Sequence, residues 1–212
     1  GPSIPMMMGI HKDLQTTPDK KLVPLKNYGV KLMSIGFMLD EETPLIWRGP
    51  LVMQLVQQFL RGVEWGELDY LVIDLPPGTG DAQLTLVQTI PLTGAVIVTT
   101  PQDVALIDAR RAIKMFTEVK VPILGIVENM SFFTCPHCGK TTDIFSHGGG
   151  EKTGERYCIP FLGQIPIDSQ IRETGDAGKP IVEAYPDSPQ TKAFFKIAEK
   201  VASGISVLDL KG

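Results

Sequence analysis

Three short and almost uninterrupted apolar runs constrain most strongly how this chain can fold. They are Tyr70–Asp74 (YLVID), Ala95–Thr100 (AVIVTT) and Ile123–Val127 (ILGIV), and each is rich in β-branched residues. Runs of this kind are typical of parallel strands that are covered by helices on both faces. Val30–Met38 (VKLMSIGFM) and Phe161–Ile165 (FLGQI) are two further candidate strands.

Segments with helical spacing alternate with these runs. Helices are predicted to begin near Pro50, Asp81, Asp103 and Pro189, where a capping residue or a first-turn proline precedes apolar residues three and four positions apart. Alternating strands and helices predict an α/β fold with a doubly wound, mostly parallel sheet, in a single domain over residues 1–212. Ligands of such sheets bind at the carboxyl ends of the strands, so the residues after each strand are the candidate site.

The composition argues against several classes of function. Hydrophobic residues make up 43% and charged residues 21% of the 212 residues, a balance that fits a globular domain with a real core. The net charge is −4 and no run of lysine or arginine occurs, so neither nucleic acid nor a membrane is an expected partner. Three cysteines are too few for a disulfide framework, which favours a reducing compartment.

The segment that follows the first apolar run is typical of magnesium–nucleotide chemistry. Asp74 ends that run and is followed by LPPGTGD. A carboxylate at the end of a rigid strand can hold Mg²⁺, and glycines in the next turn let backbone N–H groups approach a phosphate. An aspartate at this position is about as often a plain turn or cap residue, and the PPGTGD continuation favours the functional interpretation.

Two later turns are candidates for contact with a base. Asn129 follows ILGIVE, and its amide can pair with an adenine edge, although an asparagine that caps a turn is the commoner case. The stretch Gly163–Asp168 (GQIPID) can border the same base. The sequence contains no G-x-x-x-x-G-K-[ST] string for phosphate binding, and GGGEKTG at 148–154 fits better a loop that enters a helix.

Cys135 and Cys138 in CPHC are the candidate metal ligands. Two thiolates supply half of the four ligands that an iron–sulfur centre usually needs. A two-fold dimer can supply the other half, because the same patch of each copy meets at the axis. Alternatively, His147 and Cys158 can complete a Cys₃His zinc site within one chain. The spacing alone favours the two interpretations equally.

Eight segments together resemble the Mrp/ApbC-type proteins, which are MinD-like P-loop ATPases that carry iron–sulfur clusters. The segments occur in order along the whole chain: GPSIP at 1–5, RGP at 48–50, LDYLVIDLPPGTGD at 68–81, GAVIVTTPQDVAL at 94–106, ENMS at 128–131, CPHCGK at 135–140, GQIPID at 163–168 and GKPIV at 178–182. In that family GPSIP follows the P-loop, so the resemblance implies that the first βαβ portion is missing from this chain.

The resemblance also implies individual roles in binding ATP with Mg²⁺. It assigns the Walker B carboxylate, the switch beside the γ-phosphate and the adenine contacts to these residues: Asp74, Pro77, Gly78, Thr79, Gly80, Asn129, Pro166, Ile167 and Asp168. The phosphate-binding lysine of the family has no counterpart in this sequence. ATP hydrolysis is therefore expected of a full-length protein that contains a P-loop.

For the cysteines, the resemblance implies a [4Fe-4S] cluster that Cys135 and Cys138 of two chains share, on a loop at about 130–142. The expected function is an ATP-dependent carrier that works as a homodimer and transfers the cluster to apo-proteins, in the cytoplasm or the mitochondrial matrix. Two alternatives stay open at this point. They are a MinD/ParA-like ATPase with a structural zinc site and a metal-binding adaptor that does not hydrolyse ATP.

Overall fold

The computed structural model describes residues 3–11, 13–38, 49–75, 83–84, 87 and 90–210. The helices whose bounds are described are α1 Ile4–Met7, α2 Gly49–Arg61, α3 Asp103–Glu118, α4 Gly149–Tyr157, α5 Ser169–Asp176, α6 Ile181–Ala184 and α7 Pro189–Asp209. The described strands are β1 Leu25–Asn27, β2 Val30–Leu32, β3 Ala95–Thr99, β4 Ile123–Glu128, β5 Phe133–Thr134, β6 Thr141–Thr142 and β7 Phe161–Gln164.

The chain divides into two compact units. The first consists of Gly1–Leu86 with Arg172–Ala184, and the second of Val87–Ile171 with Tyr185–Gly212. The first unit contains the antiparallel hairpin of β1 and β2, and the second contains a parallel sheet with the strand order β3-β4-β7. No helix in the described part of the chain is both long enough and apolar enough to cross a membrane.

Three of the predicted strands are confirmed, and they form the sheet of the second unit. The runs AVIVTT, ILGIV and FLGQI become β3, β4 and β7, all parallel to one another. The burial of β3 alternates along the strand, whereas the last four residues of β4 are all buried. A central strand that is buried on both faces is what the unbroken apolar run predicted.

The strand predicted at Tyr70–Asp74 is wrong. These residues have no strand assignment, and the Val72 side chain is 88% exposed. A strand exists only where a neighbour accepts and donates its backbone hydrogen bonds, and none of the described residues pairs with this segment. An apolar, β-branched run therefore predicts the tendency to form a strand but does not supply its partner.

The strand predicted at Val30–Met38 is also wrong for most of its length. Only Val30–Leu32 forms a strand, and it pairs with β1 across a turn in which Tyr28 and Gly29 both have positive φ, 47° and 76°. Such a two-residue turn is typical of tight hairpins. The chain then enters a 3₁₀ turn at Ile35–Phe37, where the Ser34 hydroxyl oxygen accepts a hydrogen bond from the Gly36 N–H at 3.1 Å.

The helix predictions are confirmed at α2, α3 and α7. Ser188 caps α7, where its side chain accepts a hydrogen bond from the Thr191 N–H at 3.1 Å and Pro189 occupies the first turn. Of the helix predicted from about 82 to 90, residues 83, 84 and 87 are helical, and most of the rest lies outside the described residues.

Helices cover the central strand from both sides. Ile126 on β4 is fully buried, and its Cδ1 lies 3.9 Å from the position that a Cβ on Gly154 of α4 would occupy. Its neighbour Val127 points to the opposite face, where it forms a buried cluster with Leu162 and Ile165. Ile197 and Val201 of α7 pack against this cluster. The central strand is covered on both faces, and ligands of such sheets bind at the carboxyl ends of the strands.

Candidate metal centre

A short hairpin presents the two cysteines at its tip. Strand β5 pairs antiparallel with β6, and the residues 135–140 between them form a tight loop. The Cys135 N–H donates to the Lys140 carbonyl at 3.0 Å, and the Gly139 N–H donates to the Cys135 carbonyl at 2.8 Å. Gly139 has a φ of 68°, a conformation that glycine adopts without strain. We refer to residues 133–142 as the cysteine hairpin.

The loop also favours the ionised form of the Cys135 thiol. The backbone N–H groups of Cys138 and His137 donate to the Cys135 sulfur, and these bonds lower the pKa of that thiol. A lower pKa increases the thiolate fraction near neutral pH, and the thiolate is the form that binds metal. Cys135 is half-buried and Cys138 is exposed, so both sulfurs can be reached from outside the chain.

The single-chain zinc arrangement is not formed in this structure. Within the described residues, no group of three or more His, Cys, Asp or Glu side chains is placed to hold a metal ion. His147 precedes α4 and Cys158 caps its other end, and a helix of nine residues separates them by about 13 Å. The sequence predicts a helix between these two residues, and the structure confirms it.

Backbone hydrogen bonds attach the base of the hairpin to the segment that follows β7. The Ser131 N–H donates to the Ile165 carbonyl at 3.0 Å, and the Ile167 N–H donates to the Phe132 carbonyl at 2.7 Å. Phe133 and Ile167 form a parallel bridge. The base of the cysteine hairpin therefore lies beside the turn that the sequence predicts to border a base.

A groove of about 520 Å³ lies between the hairpin base and this turn. Its lining includes Pro166, Ile167 and Asp168, three of the residues predicted to contact adenine, together with Pro136 from the cysteine loop. Other apolar parts of the lining come from Phe132, Phe133, Pro189 and Ala193. An apolar groove with a few polar groups is the usual form of a small-molecule site.

Asp168 supplies the polar end of this groove. One carboxylate oxygen accepts the Gln170 N–H at 2.7 Å and so caps α5, and the other accepts a hydrogen bond from Nε2 of Gln190. The Oε1 of Gln190 is buried and has no partner among the described residues. A buried acceptor without a donor is costly, and a ligand N–H in the groove would satisfy it.

Of the other residues predicted to contact the nucleotide, only Asn129 belongs to the described part of the unit that contains the groove. Asn129 is not part of the lining, and its Oδ1 accepts the Met130 N–H at 3.0 Å, the turn-capping role that is common for asparagine. Asp74 is exposed and belongs to the first unit, whereas the groove belongs to the second. Pro77, Gly78, Thr79 and Gly80 lie outside the described residues. The roles of these residues stay predictions.

One residue of the site was missed by the sequence analysis. Glu128, at the end of β4, has no exposed surface, and its carboxylate accepts three hydrogen bonds. Its signal in the sequence is the triplet GGG at 148–150, which predicts a loop entering a helix. That interpretation is confirmed, since α4 begins at Gly149, but the carboxylate that the glycines approach was not predicted.

The parallel α/β fold and similar proteins of known structure define the class of protein. A nucleotide-binding protein from Archaeoglobus fulgidus, solved in complex with ADP, superposes with a TM-score of 0.76 and 42% identity over 92% of this chain and 75% of that one. The septum site-determining protein MinD from Pyrococcus horikoshii superposes with a TM-score of 0.54 and 23% identity over 73% of this chain and 56% of that one, which shows the fold alone. The class is the MinD type of P-loop NTPase fold.

Sequence comparison narrows this class. The family model described as ParA, NUBPL iron-transfer P-loop NTPase, matches residues 1–202. The iron-sulfur cluster transfer protein NUBPL of Dictyostelium discoideum is 52% identical over 99% of this chain and 65% of its own length. The chain belongs to the NUBPL iron-transfer family of P-loop NTPases and spans about two thirds of that relative. The missing first βαβ portion stays a prediction.

Proposed function

We propose that two copies of this chain hold a labile [4Fe-4S] cluster between them and deliver it to apo-proteins. The observation that carries the proposal is the cysteine hairpin, which places Cys135 and Cys138 at the surface with no third metal ligand from the described part of their own chain. A second copy is the simplest source of two more thiolates, because a two-fold axis brings identical loops together. The name of the Dictyostelium relative, an iron-sulfur cluster transfer protein, supports this proposal.

The position of the thiols also suits the release of a cluster. Cys135 is half-buried and Cys138 is exposed, so a cluster that they hold can leave when the two copies separate. The hydrogen bonds that Cys135 receives from backbone N–H groups favour the charged ligand without blocking access to it. Three free cysteines support work in a reducing compartment, either the cytoplasm or the mitochondrial matrix.

Anaerobic reconstitution with iron and sulfide tests the proposal. We expect about four irons and four sulfides per two chains, because four thiolates complete one cluster. Light scattering after gel filtration should show that the cluster-bearing species has twice the mass of one chain. One tightly held zinc per chain in a monomer would contradict the proposal and support the alternative of a structural zinc site.

We further propose that the same protein binds ATP with Mg²⁺, with the base near Asn129 and the groove and with Asp74 as a magnesium ligand. The groove contains an apolar surface for a base and, in the Oε1 of Gln190, an acceptor that lacks a donor among the described residues. The exocyclic amino group of adenine is a donor of the required kind. The relative from Archaeoglobus fulgidus, which was solved with ADP, supports nucleotide binding.

Titration with a fluorescent ATP analogue and Mg²⁺ tests this second part. In Asn129→Asp the turn keeps its acceptor oxygen, but the amide donor toward adenine is lost, so we expect roughly ten-fold weaker binding. Gln57→Glu makes the same chemical change on an exposed residue of α2 and should bind like the unaltered chain. Equal affinity in Asn129→Asp, or no binding by the unaltered chain, would contradict this proposal.

A further inference from the structure

Glu128 is a buried carboxylate to which the proposed function assigns no role. Neither Glu128 nor Ser131 has any exposed surface. Burying a carboxylate is costly unless hydrogen bonds replace the lost water. Its Oε1 accepts the Ser131 hydroxyl at 2.5 Å and the Gly148 N–H at 3.1 Å, and its Oε2 accepts the Gly150 N–H at 2.6 Å.

The three donors lie at the two ends of residues 131–150, which we call the hairpin segment. Ser131 precedes the cysteine hairpin by two residues, and Gly148 and Gly150 follow it at the start of α4. Between these donors the chain runs out to the cysteine tip and back. A single carboxylate therefore binds both ends of the segment that carries the two thiols, and it does so from the rigid end of the central strand.

The glycine triplet is what allows this close approach. Gly148 has a φ of 75°, which a residue with a Cβ adopts only at a cost. A Cβ on Gly150 would lie 3.1 Å from the Cβ and 3.2 Å from Oε2 of Glu128, and one on Gly149 would lie 2.6 Å from the Leu106 side chain. The backbone N–H groups at the start of α4 can thus reach the carboxylate, and the helix dipole favours its negative charge there.

The hydrogen-bond network continues to the end of the hairpin segment. Nδ1 of His147 lies 3.3 Å from the Ser131 hydroxyl. Because that hydroxyl donates to Glu128, it can accept a hydrogen bond from Nδ1–H of His147. His147 is partly exposed, with 43% of its side chain accessible, so the network runs from the buried carboxylate to the surface beside the hairpin.

We propose that Glu128 is a positioning residue that fastens both ends of the hairpin segment and so holds Cys135 and Cys138 in the orientation that retains the cluster. Only the last step of this inference, the retention of the cluster, rests on the proposed function. The carboxylate acts through Ser131 and through the start of α4, and it does not touch the metal. When a bond of this network is removed, the hairpin opens more often and the cluster is lost faster.

Two variants weaken the network by different amounts. Glu128→Gln keeps the shape of the side chain, but its NH₂ group must face at least one of the donors in either orientation of the amide. Ser131→Ala removes only the hydroxyl bond and leaves the two bonds from α4 in place, so it serves if Glu128→Gln does not fold. Thr191→Ala is the matched control, because Thr191 is equally buried, its hydroxyl donates to the Tyr185 carbonyl at 2.8 Å, and it lies on α7.

Two measurements separate this inference from the proposed function. The first is hydrogen exchange of the cysteine hairpin in the cluster-free protein, which needs no iron. We expect exchange to rise about ten-fold in Glu128→Gln and about five-fold in Ser131→Ala, and less than about two-fold in Thr191→Ala. The second is the rate at which a ferrous-iron chelator removes iron from the reconstituted protein, which should rise in the same order.

Unchanged hairpin exchange in both variants, or an equal rise in Thr191→Ala, would overturn the positioning role. Iron loss that stays unchanged while exchange rises would overturn it as well, because the hairpin would then not govern retention. If no form of the chain binds iron, the proposed function fails, and the exchange measurement alone decides whether Glu128 fastens the hairpin.

Discussion

Replacing either Cys135 or Cys138 by serine is expected to abolish cluster binding in anaerobic reconstitution. In the proposed dimer each substitution removes two of four ligands, since both copies carry it. The serine hydroxyl is a poor substitute for a thiolate, because it stays protonated near neutral pH even beside the N–H groups that favour the charged sulfur of Cys135. The expected result is the loss of the brown colour and of the iron from both variants, with the chain itself still folded.

Cys158→Ser is the matched control for these two variants. Cys158 is also an exposed free cysteine, but it caps the far end of α4 in a left-handed conformation with a φ of 55°. It should bind as much iron as the unaltered chain. An iron content that falls to the same extent in Cys158→Ser would show that a third thiol takes part, and the dimeric arrangement with two ligands per chain would then be wrong.

The second large effect is expected on stability, at Gly178 in the first unit. Gly178 has a φ of 71°, and a Cβ there would lie 2.7 Å from the Gly9 Cα and 2.9 Å from the Met6 carbonyl oxygen. Both obstacles are backbone atoms, so they cannot move aside as a flexible side chain could. We expect Gly178→Ala to lower the free energy of unfolding by about 3–4 kcal/mol, of which about 1 kcal/mol is the backbone conformation and the rest is the clash.

Gly29→Ala separates the cost of the backbone conformation from the cost of the clash, because it carries only the first. Gly29 has almost the same φ, 76°, but nothing lies within 4 Å of the position that its Cβ would occupy. It should cost only about 1 kcal/mol. Thermal unfolding of the two variants beside the unaltered chain measures the difference. Equal losses of stability at both positions would show that the close contact between Gly178 and Gly9 does not form.

The tight contact at Gly178 explains why a glycine occurs in a motif that the sequence shows only as a resemblance. GKPIV at 178–182 was one of the segments that resembled a known family, and its glycine had no assigned role. The structure supplies the role, since the Gly178 carbonyl accepts a hydrogen bond from the Tyr28 hydroxyl at 2.8 Å while its Cα faces Gly9. These contacts join residues far apart in the sequence, so no local pattern could predict them.

The sequence by itself determined those features whose causes are local. The β-branched runs at Ala95–Thr99 and Ile123–Glu128 form parallel strands, and Ser188 and Pro189 start a helix where capping chemistry predicts one. The tight loop of Cys135 and Cys138 follows from the spacing of its own residues. The helix start and the cysteine loop are stabilised by atoms within the element or next to it. For the two strands the local pattern sets the strand propensity, and the neighbouring strand supplies the hydrogen bonds.

Only the tertiary structure decided the features that depend on a distant partner. YLVID lacks a strand neighbour among the described residues and has no strand pairing there. Glu128 gains its place because a strand end, a hairpin base and a glycine-rich helix start meet at one carboxylate. Propensity and spacing describe what a segment can form, whereas hydrogen bonds and packing between segments select which of these possibilities is stable.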